Sequence, residues 1–176
     1  MGERPPFVLI WGVSGAGKSR YCQWLAQRGY TYLDNDTIFG RLQRATPLEK
    51  AWALMRNGQV TAKQFVDAIA GKRVVVEFGA QPDQASLVQL RRLMDLGASA
   101  WWFDGDRGAA RESWLDRDVK VDEEFWRIQM AWVDHAWQSI ADIISARIIR
   151  TIGPGRAYLA EPQIDRLMFG VLGDQS

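Results

Sequence analysis

The chain has 176 residues, of which 47% are hydrophobic and 24% charged, and its formal net charge is +1. This size and composition predict a single folded domain over residues 1–176, and the near-neutral charge provides no global attraction to nucleic acid. The single cysteine, Cys22, excludes an intrachain disulfide and a zinc site built on several cysteines. No apolar run approaches the roughly 20 residues of a membrane span, so we expect no membrane partner and a cytoplasmic location.

Strand-like and helix-like segments alternate along the chain. The expected strands are five short apolar runs, at 7–11, 30–33, 73–78, 99–103 and 147–151. Helix-length stretches separate these runs, which predicts an α/β fold with a parallel, largely buried sheet. Because ligands of α/β proteins bind at the carboxyl ends of the strands, we expect the functional residues at those ends.

The first strand leads into GVSGAGKS at residues 12–19, which matches the phosphate-binding loop G-x-x-x-x-G-K-[ST] at every fixed position. A helix-like stretch follows, so the loop has the strand–loop–helix setting that the motif requires. Its backbone N–H groups would bind phosphate oxygens, Lys18 would reach the β- and γ-phosphates, and Ser19 would bind magnesium. The expected nucleotide-binding residues of the loop are Gly12, Ser14, Gly15, Ala16, Gly17, Lys18 and Ser19.

Two carboxylates, Asp34 and Asp36, follow the second strand. One would hold a magnesium-bound water and the other would accept the proton of an attacking hydroxyl. Either carboxylate could instead cap the helix expected near Thr37. The residues alone do not assign the base between them.

Two later strands end in an acid that could stand behind the magnesium ion. The third run ends in Glu77 and the fourth in Asp104. We prefer Glu77 as the catalytic and magnesium-binding acid because the adjoining Gly79 permits close approach of a substrate. Asp104 remains the alternative.

A helical insertion at residues 40–72 separates the second and third strands, with helices expected at 36–44, 47–56 and 61–70. Residues 40–73 contain seven basic residues against two acidic ones. The insertion could therefore attract an anionic acceptor, or it could simply present a solvated face.

Residues 111–122 are expected to form a short lid. Arginines on a mobile lid stabilise the charge that spreads over a transferred phosphoryl group. Arg117 is the first candidate for this role and Arg111 the second. Alternatively, these arginines pair on a helix surface with Glu112 or Asp116.

The stretch 122–144 is expected to be a long helix rich in aromatic residues, either packed in the core or forming a stacking platform.

Together these residues resemble the P-loop kinases, in the branch that includes gluconate kinase, shikimate kinase and the small AAA-type ATP-binding kinases. The loop at residues 12–19 is close to that of gluconate kinases, and residues 76–79 match the third-strand end of the AAA-type relatives. Asp34-Asn35-Asp36 is similar to the Asp-x-Asp of shikimate kinases, in which the first acid serves magnesium and the second contacts the reacting hydroxyl. The insertion also resembles that of polynucleotide kinase domains.

The resemblance implies a three-layer P-loop fold with a parallel sheet of about five strands and a short lid. It also implies Asp36 as the preferred base, Arg117 as the lid arginine and Gly155 in a loop that closes over adenine. We therefore expect an ATP- and magnesium-dependent kinase. Its expected catalytic residues are Lys18, Asp34, Asp36, Glu77 and Arg117.

The expected acceptor is a hydroxyl group of a small molecule, a nucleotide or a nucleic acid. One alternative is a kinase specific for polynucleotides or for modified bases in DNA. A second is a nucleotide-hydrolysing switch that acts through protein partners, although the sequence has no Asn-Lys-x-Asp element for reading guanine. The oligomeric state is left open.

Overall fold

The computed structural model describes residues 4–34, 44–79, 81–116, 122–145 and 147–170. The strands in these residues are β1 (Phe7–Gly12), β2 (Thr31–Asp34), β3 (Val74–Glu77), β4 (Ser99–Gly105) and β5 (Ile148–Ile152). The α-helices in these residues are α1 (Lys18–Ala26), α2 (Pro47–Arg56), α3 (Ala62–Ala68), α4 (Gln84–Asp95), α5 (Arg107–Leu115), α6 (Glu123–Ile144) and α7 (Glu161–Phe169). A 3₁₀ turn, Pro154–Arg156, follows β5.

The five strands form one parallel sheet in the order β2-β3-β1-β4-β5. Asp34 at the end of β2 is in register with Glu77 at the end of β3, and Glu77 is in register with Ile10 of β1. The two acids therefore lie at the edge of the sheet where the loop after β1 begins. The predicted α/β fold with a parallel sheet is confirmed, because every predicted apolar run forms one of these strands.

Helices cover both faces of the sheet and complete three layers. On one face, Tyr21 of α1 packs against Phe103 of β4. On the other face, Trp137 of α6 packs against Trp102 of β4, and Phe65 of α3 packs against Phe7 of β1. The residues of β1 are apolar on both sides because parallel strands are buried on both faces.

The described helices of the insertion begin at strong caps. Thr46 and Glu49 form a capping box at the start of α2, and Thr61 and Gln64 form one at the start of α3. The predicted helix at 36–44 lies almost entirely outside the described residues. Trp52 of α2 packs within the main core, 5.8 Å from the ring of Phe78. The described part of the insertion is thus attached to the sheet rather than separate from it.

A buried carboxylate fixes α7 to the rest of the domain. Asp165 is 1% exposed, accepts a hydrogen bond from the Tyr21 hydroxyl at 3.0 Å, and pairs with the Arg4 guanidinium at 2.9 Å. Burial, and then the charge of Asp165, raise the pKa of Tyr21, so its hydroxyl remains a donor at neutral pH. The Asp165 carboxylate therefore ties α7 to α1 and to the first described residues, beside the Arg20–Glu161 ion pair and the buried side chains of Ile164 and Met168.

Asp165→Asn is expected to lower the free energy of unfolding by about 3 kcal/mol, since it leaves the half-buried Arg4 guanidinium without its counter-charge. Urea denaturation followed by circular dichroism measures this change. Asp67→Asn is the control: its ion pair with Lys63 lies on the surface, with side chains 62% and 71% exposed, and its loss should cost less than about 1 kcal/mol. Equal effects of the two substitutions would contradict the structural role of Asp165.

Within the described residues, no helix is both long enough and apolar enough to cross a bilayer.

Candidate active site

The phosphate loop has a backbone that only glycine permits at two positions. Gly12 has φ of 135° and Gly15 has φ of 85°. A Cβ atom at Gly12 would lie 2.1 Å from the carbonyl oxygen of Phe103, and one at Gly15 would lie 2.0 Å from that of Ala110. Both approaches are far inside van der Waals contact, so the loop depends on these glycines to pack against β4 and α5.

The carbonyl oxygens of the loop are tied to side chains around it. Lys18 is 8% exposed, and its ammonium donates to Gly12 O at 3.1 Å and Val13 O at 2.9 Å. The Thr151 hydroxyl donates to Ala16 O at 2.6 Å, and the Tyr158 hydroxyl donates to Gly15 O at 2.6 Å. These bonds fix the peptide planes of the loop, so its shape is set before a phosphate binds.

Thr151 and Tyr158 are loop-supporting residues that the sequence analysis missed. Thr151 is buried at the end of β5, and Tyr158 follows the 3₁₀ turn and also bonds the Ser113 hydroxyl. For Thr151 the sequence carries one signal, because it is a polar residue near the end of an apolar strand run. No comparable sequence signal marks Tyr158.

Glu77 lies directly beside the first turn of α1. The Ser19 hydroxyl donates to one of its carboxylate oxygens at 3.0 Å, and the Tyr32 hydroxyl donates to the other at 2.5 Å. Burial, and then the charge of Glu77, raise the pKa of Tyr32, so this phenol stays protonated at neutral pH and remains a donor. A carboxylate and a hydroxyl at hydrogen-bonding distance provide the oxygen ligands that magnesium prefers.

The rival acid, Asp104, lies elsewhere. Its carboxylate accepts from the Gly105 amide at 2.9 Å and pairs with the Arg107 guanidinium at 3.3 Å. Of the two acids that the sequence left open, the one beside Ser19 is Glu77. Asp34 is half-buried at the neighbouring strand end, whereas Asp36 and Arg117 lie outside the described residues.

Among the described residues, no group of three or more His, Cys, Asp or Glu side chains is placed to hold a metal ion. A magnesium ion at Ser19, Glu77 and Asp34 would therefore need phosphate oxygens or water to complete its ligands, as is usual for this ion. Nearby Cys22 is fully buried, and burial, followed by the charge of Glu77, raises the pKa of its thiol. This makes Cys22 a core residue rather than a nucleophile.

The flanks of the predicted lid are held by ion pairs. Residues 111–115 are the last part of α5, and Arg111 pairs with Glu123 at the start of α6 rather than with Glu112 or Asp116. Arg156 in the 3₁₀ turn pairs with Asp116 at 2.7 Å. Gly155 precedes it with φ of 67°, in the loop that the sequence analysis expected near adenine.

Basic residues of the segment 40–73 have partners within the domain, as three of them illustrate. The Arg56 guanidinium lies 4.4 Å from the ring of Phe78, and burial lowers its pKa. Lys63 pairs with Asp67, and the Arg73 guanidinium lies 4.3 Å from the ring of Tyr30. For these three, the structure favours a local role over attraction of an anionic acceptor.

A cavity of about 370 Å³ opens beside the phosphate loop. Gly12, Ser14 and Lys18 form one end of it, and Glu77 lies at its side. Helix α6 forms another part of the lining. The aromatic residues that line the cavity are Trp11, Phe78, Trp102, Trp114, Phe125 and Trp132.

No protein-family model matches the sequence, and no curated protein matches it. Solved structures do resemble it. A gluconokinase from Sinorhizobium meliloti superposes with a TM-score of 0.56 at 18% identity, covering 96% of this chain and 92% of its own. A shikimate kinase from Acinetobacter baumannii, in complex with shikimate, superposes with a TM-score of 0.51 at 16% identity, covering 93% and 90%.

A sugar kinase from a Janibacter species superposes with a TM-score of 0.50 at 15% identity, covering 84% of this chain and all of that one. At these identities the likeness concerns the fold. The three structures are P-loop kinases, and the chain has their α/β P-loop kinase fold, as its motifs predicted.

Proposed function

We propose that this protein is a magnesium-dependent kinase that transfers the γ-phosphoryl group of ATP to a hydroxyl group of a small molecule. The observation that carries this proposal is the contact of Ser19 with Glu77 beside a preformed phosphate loop, where Glu77 also lines a cavity large enough for an acceptor. The shared fold of three small-molecule kinases supports it. A simple nucleotide switch does not require such an acceptor cavity.

In this proposal the residues position the reactants and stabilise charge. The loop amides and Lys18 hold the β- and γ-phosphates, while Ser19 and Glu77 hold magnesium, with Asp34 nearby. Bound magnesium would neutralise charge on the phosphate oxygens. Asp36 or Asp34 accepts the proton of the acceptor hydroxyl, whose oxygen forms a bond to the γ-phosphorus as the bond to ADP breaks. Arg111 and Arg117 are proposed to stabilise the charge on the transferred group.

A transfer screen with labelled ATP tests the proposal. The acceptors are sugars, sugar acids, nucleosides, aryl alcohols and oligonucleotides, including DNA with hydroxymethylated bases. We expect a labelled product with a small molecule, and only when magnesium is present. Consumption of ATP without any phosphorylated product, stimulated by a protein partner, would instead support the switch. Transfer to oligonucleotides, with binding that weakens steeply as salt rises, would support the polynucleotide alternative.

The paired substitutions Asp36→Asn and Asp34→Asn should separate the roles of the two acids. Asp36→Asn is expected to lower kcat by about 100-fold, the usual contribution of a general base, with unchanged affinity for ATP. Asp34→Asn is expected to raise the magnesium concentration needed for half-maximal activity. Full transfer by Asp36→Asn would show that the base is assigned wrongly.

A further inference from the structure

The floor of the acceptor cavity rests on a rigid, buried aromatic layer. Trp11 of β1 lies between Phe78, which directly follows β3, and Trp102 of β4. All three residues line the cavity, and each is at most 3% exposed. The Trp11 ring lies 5.2 Å from Phe78 and 5.3 Å from Trp102, with interplanar angles of 80° and 69°. Edge-to-face packing of this kind holds the rings in place, so the base of the cavity has a fixed shape before any acceptor binds.

Another wall of the cavity is an aromatic face of α6. Phe125, Gln129 and Trp132 are four and three residues apart, a spacing that places them on one side of a helix. All three line the cavity, and Phe125 is 45% exposed. The Ser14 hydroxyl of the phosphate loop donates to Gln129 at 2.5 Å. This bond sets the aromatic wall at a fixed position relative to the phosphate loop.

Charge is scarce in this cavity. Among its described lining residues, the charged side chains are Lys18 and Glu77. Lys18 is held by the loop carbonyls, and Glu77 accepts from Ser19 and Tyr32, so both belong to the phosphate and magnesium side of the site. An anionic group on the acceptor would lose its hydration against the aromatic walls, and the described lining residues offer it no cation beyond Lys18.

We propose that the acceptor is an uncharged small molecule whose hydroxyl is carried by a flat ring system, such as an aryl alcohol or a nucleoside. This inference rests on the proposed kinase activity. The ring stacks against the accessible rings of the α6 wall at Phe125 and Trp132, and Gln129 supplies a polar contact. The volume of about 370 Å³ suits a small molecule rather than a polynucleotide. The transfer itself is the one described above, with the acceptor proton passing to the base and ADP leaving.

Matched acceptor pairs test the charge requirement. Benzyl alcohol is compared with 4-(hydroxymethyl)benzoate, and nucleosides are compared with their monophosphates that retain a free hydroxyl; glucose, gluconate and shikimate complete the panel. We expect transfer to an uncharged ring compound with kcat/KM at least tenfold above its charged partner. Preferred transfer to glucose, gluconate, shikimate or an oligonucleotide would overturn the inference while leaving the kinase activity in place. Binding of ATP without transfer to any class of acceptor would instead overturn the proposed function.

Substitutions on α6 test the stacking wall. Trp132→Ala and Phe125→Ala are each expected to raise KM for the ring acceptor about tenfold, the usual effect of losing one stacked ring, while KM for ATP changes less than about twofold. Trp132→Phe should restore most of the affinity because it keeps a ring. His135→Ala is the matched control, since His135 is exposed on the same helix and does not line the cavity. Unchanged acceptor KM in both alanine variants, with wild-type helix content by circular dichroism, would contradict the inference.

Discussion

Lys18→Ala is expected to lower the rate of phosphoryl transfer by at least about 1000-fold, which would leave no measurable turnover. The ammonium is the buried positive charge inside the loop, and its removal also frees the carbonyls of Gly12 and Val13 that it holds. The loss should therefore appear both in kcat and in the affinity for ATP. Steady-state transfer assays and calorimetric titration with ATP in the presence of magnesium measure the two effects.

Lys63→Ala is the control for Lys18. Lys63 is exposed on α3 and paired with Asp67, so its removal also deletes one positive charge but should leave transfer and ATP affinity near wild-type values. If Lys18→Ala kept more than a tenth of the wild-type rate, nucleotide phosphates would not be bound at this loop, and the proposed donor half of the site would be wrong.

Glu77→Gln is expected to lower kcat by about 100-fold at fixed magnesium and to raise the magnesium concentration required for activity. The substitution keeps the shape of the side chain but removes the charge beside Ser19, and its amide nitrogen can no longer accept from Ser19 or Tyr32. A magnesium titration of the transfer rate, at saturating ATP, separates weaker metal binding from a slower step.

Asp104→Asn is the matched comparison for Glu77. Both residues end an apolar strand next to β1, but the Asp104 carboxylate binds the Gly105 amide and Arg107. We expect the magnesium dependence of Asp104→Asn to match wild type. A large shift in Asp104→Asn together with wild-type behaviour of Glu77→Gln would reverse the assignment.

The likeness to solved kinases concerns the fold that carries the phosphate loop rather than the residues that line the cavity. The phosphate loop lies in a fold shared with a gluconokinase, a shikimate kinase and a sugar kinase. The cavity proposed for the acceptor is lined by aromatic residues from β1, β4 and α6 of this chain. The shared fold leaves the acceptor open, because function depends on the site rather than on the fold.

Much of the fold could be predicted from the sequence because its signals are local. Each strand is a short apolar run, and α2 and α3 are preceded by threonines three residues before Glu49 and Gln64. Such patterns depend on burial and on capping within a few residues, and so they are visible without tertiary information. The bounds of α2, Pro47–Arg56, agree with the prediction for this reason.

The supports of the phosphate loop could not be predicted in the same way. Thr151 and Tyr158 bond loop carbonyls 135 and 143 residues earlier in the chain. Tyr32 reaches Glu77 across 45 residues. Contacts of this range depend on the order of strands in the sheet and the placement of helices on it, and no local pattern encodes them.

The sequence by itself determined the phosphate loop, the parallel α/β sheet and the set of acids at the strand ends, because glycine spacing and apolar periodicity act within a few residues of each other. The tertiary structure alone decided which acid stands beside Ser19 and which face of α6 meets the cavity. Glu77 and Asp104 end strands on opposite sides of β1, so only side-chain geometry in the folded sheet distinguishes them. The aromatic residues of α6 surround much of the helix, so only its packing against β4 turns Phe125 and Trp132 toward the site.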